Sequence, residues 1–325
     1  MRKLSLLKKW DSLSPYRKLI FGFLVAIFIG VILLKMPFSL RENQNITVLD
    51  SLFTIVSAIC VTGLSVVDVS QVFTPTGQLI ILFFIQLGGL GVMTVSIIVF
   101  LLIGKKMSFE TRELLKEERN SNSNGGITNF IKHLLLTVFV IEILGASILA
   151  YGFSKYYPLK RSIFYGLFHS VSAFCNAGFD LMGRFGKYSS LTPYSTDSLV
   201  ILTVSILIFL GGLGFIVWDD ILRYKLNFKK YSLHTKIVLI TSIAFTLVGS
   251  ILFLLIENNH IFKEVGVKGK ILSSLFLSIS PRTAGFNAVD LPMLTNASIF
   301  LTILLMIVGG SSGSTAGGLK VTTVA

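Results

Sequence analysis

Three stretches of the chain carry a chemistry that resides in the backbone rather than in reactive side chains. They are Cys60-Val61-Thr62-Gly63-Leu64-Ser65, Cys175-Asn176-Ala177-Gly178-Phe179-Asp180 and Pro281-Arg282-Thr283-Ala284-Gly285-Phe286-Asn287. In each, a small residue precedes one glycine and a bulky apolar residue follows it. Upstream stands the same run each time: Leu52-Phe53-x3-Ser57, Leu167-Phe168-x3-Ser172 and Leu275-Phe276-x3-Ser280. Recurrence of this kind marks duplicated units. Glycine lets the backbone come close and take angles closed to other residues, and carbonyls so presented can replace the water around a cation. The three turns are therefore expected to line a cation path.

Other chemistries fit less well. Glu142, near the middle of an apolar span, counts as a functional candidate by its position. With His169 and Asp180 it forms the best set for a membrane enzyme, the alternative reading beside a non-conducting scaffold subunit. A bundle-facing, hydrogen-bonded Glu142 is the simpler account. No Ser/His/Asp or Cys/His arrangement is evident in the sequence. The four histidines are scattered without metal-ligand spacing, and the two cysteines, Cys60 and Cys175, are repeat equivalents rather than a disulfide framework. The segment 313–322 lacks the adjacent Gly-Lys-Ser/Thr of a phosphate loop.

The elements that must position the turns follow from hydropathy. Of the 325 residues, 53% are hydrophobic and only 14% charged, against about 25% charged in soluble domains. Mean hydropathy is +0.79. The net charge of +13 resides in clusters: six Lys or Arg in 1–18, six in 105–132 and five in 223–236. Clusters between apolar spans are the footprint of cytoplasmic loops, not of a nucleic-acid surface. The reading is an all-α polytopic membrane protein with its N-terminus cytoplasmic. A lead-in covers 1–18, a first pore unit 19–104, a loop 105–132, a second unit 133–222, a loop 223–236 and a third unit 237–325.

Within each unit a spanning helix (19–34, 133–153, 237–256) precedes a short apolar helix (49–59, 163–174, 271–279). The short ones cannot cross about 30 Å of hydrocarbon, which takes about 20 residues, and are expected to dip and return. A long helix then follows each turn, over 75–103, 196–218 and from 296. A further short helical piece is expected at 110–119. If the basic loops share one side, the crossings between them must be even, which the re-entrant reading satisfies.

Two of the later helices carry Gly88-Gly89-Leu90-Gly91 and Gly211-Gly212-Leu213-Gly214, read as close-packing sites. The third carries Gly309-Gly310-Ser311-Ser312-Gly313-Ser314-Thr315-Ala316-Gly317-Gly318, too rich in glycine for a helix. Such a run is expected to be an irregular loop whose hydroxyls satisfy freed backbone groups, tolerable only inside protein or against a watery cavity.

Taken together, the three units, the single-glycine turns, Arg282-Thr283-Ala284-Gly285-Phe286-Asn287 and the run 309–323 resemble the Trk/Ktr/HKT potassium transporter family over essentially the whole chain. The nearest likeness is to the membrane subunits of bacterial Ktr uptake systems. The resemblance implies a potassium-channel-like pore of four units, potassium uptake across the plasma membrane rather than enzymatic activity, and potassium bound at Thr62, Gly63, Asn176, Ala177, Gly178, Thr283, Ala284 and Gly285. It makes Gly309–Gly318 an intramembrane gate below the filter; the potassium path is expected to be either passive or coupled to sodium. It also implies a homodimer docked on a cytosolic ring of nucleotide-binding subunits. The family has a fourth unit; here three are expected, the third incomplete at Ala325, as in a truncated chain.

Overall fold

A computed structural model of the chain describes residues 15–91, 127–186, 188–225 and 227–325. The expected helical piece at 110–119 and the part of the 75–103 helix beyond residue 91 lie outside the described residues. Among the described residues the fold is helical, with two isolated β-bridges and no strands.

Ten helices carry the architecture described here: α1 Pro15–Lys35, α2 Val48–Ile59, α3 Pro75–Leu90, α4 Ile127–Phe153, α5 Leu159–Phe174, α6 Ser198–Gly212, α7 Phe215–Tyr224, α8 Leu233–Glu257, α9 Val267–Ile279 and α10 Asn296–Ile307. Several begin at sequence-encoded caps. Thr47 and Asp50 form a reciprocal capping box on α2, with Asp50 N donating to Thr47 Oγ1 at 3.0 Å and Thr47 N to Asp50 Oδ2 at 2.9 Å. Pro75 starts α3 behind the Thr74 cap, and Ser232 and Thr295 cap α8 and α10. Glu257, buried at the end of α8, accepts from both Thr295 N (2.9 Å) and Thr295 Oγ1 (2.7 Å), tying that end to the start of α10.

The short helices α2, α5 and α9 hold 12, 16 and 13 residues, so they reach about 18–24 Å and fall short of a bilayer. Each packs on the long helix before it: α2 on α1, α5 on α4, α9 on α8. Leu134–Phe153 and Leu233–Glu257 are long and apolar enough to cross a membrane unaided. Their outward faces expose large apolar side chains, among them Leu136, Ile143, Leu247 and Leu255, as lipid contact requires.

Two kinds of sequence expectation need correction. Helices α1, α4 and α8 begin at Pro15, Ile127 and Leu233, inside the stretches 1–18, 105–132 and 223–236 assigned to loops, and α5 and α9 begin four residues before the expected 163 and 271. The apolar runs mark the lipid-matched middle of a helix, and ordinary polar residues extend it at little cost. The second correction is larger. The expected continuous helix over 196–218 is broken at Leu213–Gly214 into α6 and α7, which meet at a 97° bend. Gly214 takes φ +89° and ψ 154°, a region essentially confined to glycine. The backbone groups freed by the break bond elsewhere: Ser311 N donates to Gly212 O (2.9 Å), and Phe215 N donates to Gly313 O (2.9 Å).

Candidate functional site

The three glycine turns are built alike. Val61, Asn176 and Thr283, each two residues before its glycine, have φ +53°, +56° and +91°; Gly63, Gly178 and Gly285 have φ +75°, +69° and +80°. The repeated serine anchors each turn to its short helix. Thr62 N donates to Ser57 O and Ala177 N to Ser172 O, both at 2.8 Å, and Ala284 N donates to Ser280 O at 2.9 Å. The hydroxyls of Ser172 and Ser280 donate to Phe179 O (2.7 Å) and Phe286 O, just past the glycines.

The turns meet one another in order. A Cβ placed on Gly63 would stand 2.3 Å from Ala177 O, and one on Gly178 would stand 2.3 Å from Ala284 O. The side of Gly285 finds only Gly178 Cα, at 4.0 Å. Thr62, Gly63, Asn176, Ala177, Gly178, Thr283, Ala284 and Gly285 are thus brought to one place. Beyond the glycines lies a cavity of about 320 Å³ lined by residues that include Leu64, Asp68, Asp180, Tyr188 and Asn287. Asp180 Oδ1 accepts from Met182 N at 2.8 Å. Burial, with the Asp68 charge adding to it, pushes the Asp180 carboxyl up to about 6 against the opposing hydrogen bonds from Met182 and Ser190.

On the opposite side of the turns, next to residues that precede the glycines, sits Gly309–Gly318. It is an irregular loop, as expected, pinched at its base by the bridge between Val308 and Leu319. Thr315 Oγ1 donates to Phe174 O (3.0 Å) and accepts from Asn176 Nδ2 (2.8 Å). Ser311 Oγ lies 3.3 Å from His234 Nε2, and Lys320 Nζ donates to Ala316 O at 2.8 Å. Gly211 makes this approach possible, since a Cβ there would stand 1.9 Å from Phe174 O and 3.1 Å from Thr315 Oγ1.

Arg282 also reaches the loop. Its guanidinium reaches Ser242 O and Gly309 O, each at 3.3 Å, and lies 5.6 Å from the centre of the Phe245 ring. The signal available was a cation flanked by small and apolar residues. His234 had no such signal, because only the fold brings it to the loop.

The enzyme candidates do not assemble into a reactive set. His169 uses both ring nitrogens on the backbone, with Nδ1 2.7 Å from Tyr165 O and Nε2 accepting from Leu181 N at 3.3 Å. Glu142 is buried, with Cys175 Sγ 4.0 Å from Oε1. Among the described residues no group of three or more His, Cys, Asp or Glu could hold a metal ion.

The profile of the cation transport protein family TrkH matches residues 8–325. The chain belongs to that family. Similar relatives are the potassium/sodium uptake protein NtpJ of Enterococcus hirae, 40% identical over 96% of this chain and 68% of its own length, and the Ktr system potassium uptake protein B of Bacillus subtilis, 37% identical over 97% of this chain and 69% of its own. Among solved structures, the potassium transporter TrkH of Vibrio parahaemolyticus superposes with a TM-score of 0.66 at 20% identity. It matches 93% of this chain, which spans 59% of that one. TrkH-family membership makes this a membrane protein of a transporter family, and its similar relatives carry transporter names.

Proposed function

We propose that the chain forms the pore-lining part of a potassium uptake transporter in the plasma membrane. Single-glycine turns at Gly63, Gly178 and Gly285 act as the filter, and Gly309–Gly318 acts as its gate. The observation that carries this reading is the order of contacts. Each of the first two glycines lies against the carbonyl before the next glycine, at the floor of a cavity carrying Asp68 and Asp180. Carbonyls around a common point are the hard oxygen donors that a dehydrated alkali cation needs, and carboxylates above them concentrate cations. The open side of Gly285 has room for a further carbonyl donor. The names of the relatives support potassium as cargo, and sodium is the candidate coupling ion. The basic stretches 1–18, 105–132 and 223–236 lie on the cytoplasmic side, and the last two offer a docking face for a cytosolic nucleotide-binding ring, with the transporter working as a homodimer.

The test is potassium uptake by the complete transporter carrying Gly178→Ser. The added side chain crowds Ala284 O, so uptake affinity falls or sodium is admitted. Unchanged kinetics and ion preference at normal expression would refute the filter. For the gate, deleting 311–316 raises flux and weakens dependence on the cytosolic partner; a folded deletion protein that stays fully dependent makes the loop structural only.

A further inference from the structure

Asn176 stands at the same backbone position as Val61 and Thr283, but only Asn176 among the three bonds the Gly309–Gly318 loop through its side chain. Its neighbours fix the chemistry of that bond. The Thr315 hydroxyl has one hydrogen and gives it to Phe174 O at 3.0 Å. It must therefore accept from Asn176, which presents Nδ2 at 2.8 Å. Asn176 is 1% exposed, and its Oδ1 has no hydrogen-bond partner. Nδ2 to Thr315 is thus the hydrogen bond that orients this amide. Removing the loop strands both Nδ2 and Phe174 O in a buried place, which costs more than the bond itself gained.

The position matters as much as the bond. Asn176 is followed by Ala177, whose carbonyl is the one that meets Gly63. Reorienting the Asn176 amide acts on the backbone of the second turn one residue away from that carbonyl. The first turn has an apolar valine here, and Thr283 Oγ1 of the third is buried without a partner, so neither transmits the loop's position in this way. The third turn's hydrogen bond to the loop reaches its base, from Arg282 to Gly309 O.

We propose that the Asn176–Thr315 hydrogen bond latches the gate loop to the second filter turn, so that gate position and ion preference are coupled through this one contact. Asn176 is here a positioning residue as well as a filter residue. The inference rests on the filter and gate reading above, and its test separates the two.

The experiment measures potassium and rubidium uptake by the complete transporter, with and without its cytosolic partner. It compares Thr315→Val, Thr315→Ser and Asn176→Gly, the last keeping a residue at ease with positive φ. Valine keeps the shape of threonine and removes the bond. Thr315→Val is expected to raise partner-independent uptake about fivefold, the size of one net hydrogen bond, and to shift the rubidium-to-potassium ratio. Thr315→Ser restores both. Asn176→Gly reproduces both changes, and combining it with Thr315→Val adds nothing further. Raised uptake with an unchanged ion ratio overturns the coupling while leaving the gate reading intact. Unchanged uptake in both Thr315→Val and Asn176→Gly overturns the latch. If Thr315→Val fails to accumulate, Asn176→Gly against Thr315→Ser carries the same decision.

Discussion

The first and second glycine turns share a backbone conformation and differ in what holds them. At the first, Val61 contributes no side-chain hydrogen bond and Ser57 Oγ is buried without a partner. At the second, Ser172 Oγ bonds Phe179 O, Asn176 bonds Thr315, and His169 Nε2 receives Leu181 N beyond the glycine. Repetition of sequence thus sets the local geometry, while the departures from repetition decide which turn is tied to the rest of the molecule. One unit supplies a carbonyl-bearing turn; its sister supplies the turn and its connections.

The largest test of this comparison asks what the turns have in common. Gly63→Ala and Gly178→Ala each combine a backbone cost of about 1–2 kcal/mol for a left-handed alanine with a collision at a neighbouring carbonyl worth about 1–3 kcal/mol. Gly285→Ala keeps only the backbone cost, because its nearest neighbour is 4.0 Å away. Thermal melting in detergent should rank the three accordingly. Equal losses at all three would break the ordered contact of the turns.

Next in size is the pair Gly89→Ala and Gly212→Ala, which share a place in the Gly-Gly-Leu-Gly repeat. A Cβ on Gly89 would stand 2.4 Å from Cys175 Sγ beside the second turn, whereas one on Gly212 meets nothing within 4 Å. Gly89→Ala should lose about 1–3 kcal/mol, part of it recovered by Cys175→Ala. Gly212→Ala should be neutral or gain up to about 1 kcal/mol of helix propensity. Similar melting temperatures for the two variants would contradict the packing described.

A smaller contrast concerns the serines. Ser172→Ala removes a hydrogen bond and leaves Phe179 O short of a donor, a loss of about 1 kcal/mol. Ser57→Ala removes a hydroxyl that bonds nothing and should leave stability unchanged or slightly raised. Denaturant titration of both variants distinguishes them.

The smallest effect sharpens the comparison in the cavity beyond the glycines, where Asp180 of the second turn corresponds to Ser65 of the first. With its carboxyl raised to about 6, Asp180 is charged above that pH and becomes neutral as external pH falls through it. Uptake at low potassium should therefore decline between about pH 7 and 5. Asp180→Asn should be already low and flat over that window; a variant that keeps the wild-type pH profile would remove Asp180 from this role.

Much of this site was legible because its signals are local. The glycine turns, the short helices before them and the break at Gly309 follow from residue types that permit or forbid a conformation wherever they occur. The bend at Leu213–Gly214 is not legible in the same way. Glycines inside an apolar run fit close packing equally well, and packing is indeed what Gly211 does against Phe174 O. The overlooked clue was the last glycine of each motif, since Gly91 and Gly214 take φ +80° and +89°. The contacts of Thr315, Arg282 and His234 were out of reach, because each joins segments far apart in sequence and only tertiary packing pairs them.

The elbow between α6 and α7 imposes an order on biogenesis. Gly212 O finds its donor in Ser311 N, Gly211 O is approached by Thr315 N at 3.4 Å, and Phe215 N finds its acceptor in Gly313 O. All three partners belong to the third unit and leave the ribosome long after the elbow does. Until they arrive, a nascent second unit in the bilayer holds peptide groups that lipid cannot satisfy, each costing several kcal/mol. The second unit therefore completes its native shape only as the third inserts, and the Gly309–Gly318 loop is the last structural piece the elbow waits for.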